Sequence, residues 1–119
     1  MISTPERTPP PQLRELCLAF PGVVERVSHG EPAWFVRGRM FVTMWDHHHD
    51  ERVAFLAAAP DGAQDALAAS DPVRYFRPPY YGHRGWIGMY VDVPVDWAEA
   101  GARVAEAHAL MSARRPPRR

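Results

Sequence analysis

The sequence predicts an α+β fold: a two-layer sandwich in which an antiparallel sheet of about five strands carries the N- and C-terminal helices on one face. Three observations predict it. Leu13, Leu16, Cys17 and Phe20 make a helical stripe near the start, with i, i+3, i+4, i+7 spacing. Trp97, Val104 and Met111 make a second stripe near the end, a heptad apart. Between them run short β-branched and aromatic segments, separated by turn signals of glycine, proline and aspartate.

Residues 1–11, MISTPERTPPP, are polar and proline-rich, which predicts a disordered lead-in that places proline in the first helical turn. The stripe from Leu13 to Phe20 assigns Cys17 to the core. Pro21-Gly22 ends this helix, because proline disfavours helical backbone at the residue before it. Strands are predicted at Val24–Ser28, Ala33–Val36, Met40–Trp45 and Arg52–Ala58, beginning as a meander. Arg37-Gly38-Arg39 supplies a hairpin glycine, and Asp46–Glu51 forms a polar connection. Pro60-Asp61-Gly62 ends the fourth strand, with Asp61 placed to cap an alanine-rich helix that runs to about Ser70 and breaks at Asp71-Pro72.

In the strand Trp86–Val91, Trp86, Gly88 and Tyr90 alternate with Ile87, Met89 and Val91, and the aliphatic set is predicted to meet the helices. Asp96 and Glu99 have capping-box spacing at the start of the last helix, whose stripe also carries Gly101 and His108. The expected organisation is one domain over residues 12–115, with a basic tail at 116–119. No internal repeat is present.

Composition narrows the function. At 119 residues the chain suits a single core, and its formal net charge of +0 gives no global attraction to polyanions. The charge is unevenly placed. Residues 46–71 hold six acids against Arg52 alone, whereas 72–91 hold Arg74, Arg77 and Arg84 with no acid. The tail adds Arg114, Arg115, Arg118 and Arg119, so a neutral total can hide a basic face. One cysteine excludes an internal disulfide and suits a reducing cytoplasm, the expected location. No segment approaches the roughly 18 apolar residues of a spanning helix, and no signal-peptide run opens the sequence.

The cluster Trp45-Asp46-His47-His48-His49-Asp50-Glu51 invites a metal reading. Consecutive residues in extended chain point to opposite sides, so only His47 and His49, with a nearby acid, can share an ion, and no further protein ligand is evident; metal handling by this set is a third option behind the two functions named below. No metal or other cofactor is predicted. Ser28 and His29 diverge as neighbours on a strand, which removes a nucleophile–base pair. With no paired-carboxylate, phosphate-loop or dinucleotide signature, the reading is non-enzymatic.

Residues 76–92, FRPPYYGHRGWIGMYVD, remain. Gly82-His83-Arg84-Gly85 matches the GxxG loop of KH domains, but a KH loop joins two helices and this one enters a strand. Its chemistry still suits phosphate: backbone N–H groups released by glycine beside His83 and Arg84, with Tyr80, Tyr81 or Trp86 available for stacking.

The segments LCLAFPGVVERVSHGEPAWFVRGRMFVTM (16–44) and RVAFLAAAPDGAQDALAASDPVRYFRPPYYGHRGWIGMYVD (52–92), with the closing helix through Ala113-Arg114-Arg115, resemble the MmcQ/YjbR-like family of small bacterial proteins. The resemblance covers about residues 12–115. It implies an α+β sandwich similar to the frataxin-like fold, and a DNA-binding label that rests on comparison with a double-wing motif. Similar relatives carry a lysine near the end of the fourth strand, where this chain has Ala57-Ala58-Ala59, which implies weaker phosphate binding here. They also share His48-His49.

The expected function is therefore DNA binding through the phosphate backbone, by Arg37 and Arg39 of the hairpin and Arg77 and Arg84 of the loop. His83 and Trp86 are secondary contacts, and the tail arginines add nonspecific attraction. The alternative is a small-molecule or partner-protein module whose pocket is lined by Trp34, Trp45, Trp86 and Tyr90, with an arginine on an anionic group. No oligomeric state is assigned.

Overall fold

In the computed structural model, which describes residues 9–46, 52–79 and 81–113, helix α1 spans Pro11–Leu18 and starts on proline. Leu13 and Cys17, one turn apart, are fully buried. Burial raises the Cys17 thiol far above its usual range and the nearby Glu25 charge adds to the rise, so this sulfur stays protonated, as a core position requires. Pro9, just before this helix, is buried too.

Strands β1 (Val23–Ser28), β2 (Glu31–Val36), β3 (Arg39–Asp46) and β4 (Val53–Ala57) form the predicted antiparallel meander. Both hairpin turns contain two residues, His29-Gly30 and Arg37-Gly38, with φ of 52°, 79°, 53° and 79°. Positive φ at both central residues gives a turn whose twist matches that of the flanking strands. Because His29-Gly30 closes so tightly, β2 begins at Glu31 rather than at the predicted Ala33.

Helix α2 (Ala63–Ser70) is capped by Gly62 at φ 84° with no side-chain hydrogen bond. The expected Asp61 cap is corrected: the left-handed glycine takes the cap position itself and leaves Asp61 one residue too early. Two short strands follow, β5 (Tyr75–Phe76) and β6 (Ile87–Tyr90), and then helix α3 (Trp97–Ala113). The sheet thus has six strands in the order β1-β2-β3-β4-β6-β5. The additional strand, β5, has two residues, too few to show a period.

Register puts Trp34, Val42, Met44, Phe55, Met89 and Tyr75 on one face, each no more than 3% exposed. Helices α1 and α3 cover this face, as predicted. Burying each such side chain contributes about 1.5–3 kcal/mol. Gly101 of α3 permits the close approach of α1, since a Cβ there would lie 3.3 Å from Leu16 Cδ2. Asp96 caps α3, its Oδ1 accepting N–H groups of Ala98 and Glu99 at 3.0 and 3.2 Å. The capping box stays half-made. The Glu99 carboxylate turns instead to Arg74 Nη1, at 2.8 Å, and accepts the Tyr75 hydroxyl. No helix among the described residues is long and apolar enough to cross a membrane.

Candidate functional site

The pairings Val36↔Arg39, Ala57↔Ile87 and Phe76↔Gly88 bring the β2–β3 turn, the end of β4, the end of β5 and the start of β6 to one end of the sheet. Arg37, Arg77, His83 and Arg84 lie on connections that leave from this end and Arg39 opens β3 there, while Arg84 also borders a cavity with Ser28, His29 and Trp45 toward the other end. The last turn of α3 arrives there as well, because Arg37 Nη1 donates to the Ser112 carbonyl at 3.0 Å. Topology alone gives these positions a common end of the sheet.

Arg84 joins two concavities. One, of about 430 Å³, lies between Arg39, Met40, Arg84, Trp86 and Met111. The other, of about 270 Å³, holds Arg77, His83 and Arg84 beside Asp61 and Asp65. The loop that carries Arg84 is pinned from below: Gln64 of α2, 6% exposed, donates through Nε2 to the carbonyls of Gly82 and Trp86 at 3.0 and 2.6 Å. Arg77 packs against Gly82, where a Cβ would sit 3.2 Å from its Cγ. Gln64 escaped the sequence reading, since a lone glutamine in an alanine-rich helix carries no positional signal.

Gly82–Arg84 forms a single 3₁₀ turn leading into β6, which separates it from the helix-joining KH loop. The N–H groups of Arg84 and Gly85 donate to the carbonyls of Tyr81 and Gly82 at 3.1 and 3.0 Å, and Trp86 N–H returns to Tyr81 at 3.4 Å. These donors close the turn, so any phosphate contact from Arg84 is made by its guanidinium. The expectation of backbone donors is corrected for Arg84, Gly85 and Trp86.

Pairing divides the arginines. Arg14 binds both oxygens of Glu25 at 3.0 and 2.9 Å, Arg52 both oxygens of Asp92 at 2.8 and 2.9 Å, and Arg74 reaches Glu99. The Arg14 hydrogen bond, helped by Trp34, holds the Glu25 carboxyl below its usual range, and Arg52 with the Val53 N–H does the same for Asp92. At the other end, Arg77 Nη1 is 3.6 Å from Asp65 Oδ1, with their side chains 64% and 81% exposed. Such a pair is worth well under about 1 kcal/mol. Among the described residues no carboxylate pairs with Arg37 or Arg84; the Arg84 guanidinium lies 5.6 Å from the Tyr81 ring centroid. Arg37, His83 and Arg84 are exposed and Arg39 is half-buried.

Trp86 is different. It is 3% exposed, packed against Tyr81 with ring centroids 5.2 Å apart, and offers no open face to a base. Its expected role as a contact is corrected to that of a core support under the loop. The predicted pocket of Trp34, Trp45, Trp86 and Tyr90 is corrected too. Trp34 is fully buried and donates its Nε1–H to Glu25, Trp45 and Trp86 border separate cavities, and Tyr90 lies under the Arg52 guanidinium. His47, His48, His49, Tyr80 and the tail arginines lie outside the described residues.

No curated protein matches this sequence. The chain is similar in structure to the crystal structure of Deinococcus radiodurans protein DR2400, which carries the domain DUF419, with a TM-score of 0.72 and 16% identity. The alignment covers 85% of this chain and 76% of that one, and at such identity it shows a shared fold. A family model described as YjbR matches residues 18–110, a span that contains both hairpin turns, the arginine-bearing loop and most of α3. The chain belongs to the YjbR family.

Proposed function

We propose that this is a non-enzymatic DNA-binding protein that meets the phosphate backbone with the arginine-bearing end of its sheet. One observation carries the reading: the guanidinium groups of Arg37, Arg77 and Arg84 come from connections at one end and, among the described residues, lack the short carboxylate pairs seen for Arg14, Arg52 and Arg74. An ion pair at 2.8 Å already satisfies a guanidinium, whereas an exposed, loosely paired one gains by replacing water and counterions with phosphate. Arg37 keeps further donors after bonding Ser112, since a guanidinium has five N–H groups. Arg37, Arg39, Arg77 and Arg84 are the phosphate contacts, with His83 beside them.

Four phosphate contacts predict that affinity falls by about a hundredfold between 50 and 200 mM salt, from a slope near −0.9 per contact. Fluorescence anisotropy of a labelled duplex at two salt concentrations tests this, comparing wild type with Arg77→Ala/Arg84→Ala. The double variant should bind more weakly, with its salt slope reduced by about two. Equal binding by the two proteins, or no binding by wild type at low salt, overturns the proposal.

A further inference from the structure

Between the His29-Gly30 turn, the second half of β3 and the segment Tyr81–Arg84 lies a cavity of about 380 Å³, a volume within the range of small-molecule sites. The phosphate reading uses none of it except Arg84. Its walls join residues far apart in sequence: Ser28 from β1, Thr43 and Trp45 from β3, and Tyr81 and Arg84 from the loop before β6. Glu31 borders it as well but belongs to the internal bonding of the sheet, being 2% exposed with its Oε2 accepting the Asp46 N–H at 2.9 Å. The cavity is therefore an apolar chamber with a cation at its rim.

Two features define what fits there. The rings of Trp45 and Tyr81 stand at 88° with centroids 6.3 Å apart, so they form a corner in which a flat ring stacked on one meets the other edge to face. Tyr81 is half-buried and is backed by the buried Trp86 ring at 5.2 Å, which fixes it as a platform. The exposed Arg84 guanidinium lies 5.6 Å from the same Tyr81 centroid, and no carboxylate pairs with it among the described residues. Arg84 also borders both concavities beside the other phosphate-contact arginines, so it stands where that surface opens into the aromatic corner. An anionic group on Arg84 stays hydrated at the rim, whereas the chamber itself takes an uncharged plate.

We infer that this cavity receives the base of one unpaired nucleotide, stacked on Tyr81 against Trp45, while Arg84 holds that nucleotide's phosphate. The inference rests on the DNA reading for the phosphate contact and adds to it a preference for an unpaired strand. In a duplex each base is held in the stack and cannot enter the corner, so paired DNA engages the arginines alone. Every base has a π-face, so the corner accepts any of the four.

Fluorescence anisotropy with three labelled probes tests the inference: a paired duplex, a single strand of thymidines, and a strand of the same length in which abasic sites replace every base. The two strands carry the same phosphates, so their difference reports the bases alone. Wild type should bind the thymidine strand about tenfold more tightly than the abasic one, the effect of one stacked base. Tyr81→Leu, which keeps an apolar group against Trp86, should weaken the thymidine strand about tenfold and leave the abasic strand and the duplex unchanged. Ser28→Phe, which fills the cavity from the β1 side, should do the same. Equal or absent binding of the two strands by wild type, or a thymidine preference that survives both substitutions, overturns the inference. Duplex binding that persists in that case leaves the DNA reading standing, and a thymidine preference without duplex binding overturns the duplex reading alone.

Discussion

At the end of the sheet where β4 starts and β6 finishes, Arg52 closes on both oxygens of Asp92 at 2.8 and 2.9 Å and lies 3.7 Å from the Tyr90 ring centroid. On the loop before β6, Arg84 sits 5.6 Å from the Tyr81 ring centroid and no described carboxylate pairs with it. The same side chain, on the same sheet, is therefore used in two ways. Near β4's start and on α1 it satisfies a carboxylate and holds elements together; on the loop before β6 its charge is left to the solvent side. Counting arginines along the sequence cannot separate these uses, and a net charge of +0 conceals them. What separates them is whether a carboxylate is delivered by a neighbouring strand or helix, as Glu25, Asp92 and Glu99 are.

Substitution on the paired side should act on stability and spare binding. Glu25→Ala removes the bidentate partner of Arg14 and the acceptor of the fully buried Trp34 indole N–H, and should cost about 2–3 kcal/mol by denaturant unfolding. Duplex affinity, corrected for the folded fraction, should not change. Gly88→Ala comes next. A Cβ at Gly88 would collide with the Phe76 ring, so about 1–3 kcal/mol of overpacking is expected. Because Arg77 directly follows Phe76, this variant should also weaken duplex binding, which would show that the open end depends on the packing beneath it.

A smaller step should appear on acidification. Glu25 and Asp92 are depressed by their hydrogen bonds to arginine, so their stabilisation is complete above the ordinary carboxylate pKa of about 4. It is lost as pH falls through their lower folded-state values. Unfolding curves between pH 7 and pH 2 should show this loss, and Glu25→Ala should remove its share. Arg84→Ala should have the smallest effect on stability, within about 0.5 kcal/mol, while reducing the salt slope of duplex binding by about one. A large stability loss in Arg84→Ala would abolish the distinction between the two ends.

Much of the architecture was legible from local chemistry. Pro21-Gly22 marks the end of the first helical region, Arg37-Gly38 marks a hairpin, and Ile87 and Met89 turn to the helices as their alternation requires. Asp96 caps α3 as its position before the apolar stripe suggests. Other features depend on tertiary contacts that have no local trace. Tyr75-Phe76 is a strand only because β6 lies beside it, and Gly62 overrides Asp61 by adopting a left-handed backbone. For the site, the placement of Arg37 and Arg39 at the β2–β3 turn follows from the hairpin that the sequence conveys, whereas that of Arg77 depends on β5, which it does not. The burial of Trp86 does not follow from it: an aromatic beside arginine and glycine has the same composition whether it lines a surface or fills a core.

The hydrogen bond from Arg37 to the Ser112 carbonyl also has a practical consequence for handling the protein. The last turn of α3 lies within reach of the hairpin tip. A fluorophore, affinity tag or fusion partner attached downstream is delivered to the arginine-bearing end, where an acidic or bulky attachment would mask it. Attachment sites for such additions should be chosen with that geometry in mind.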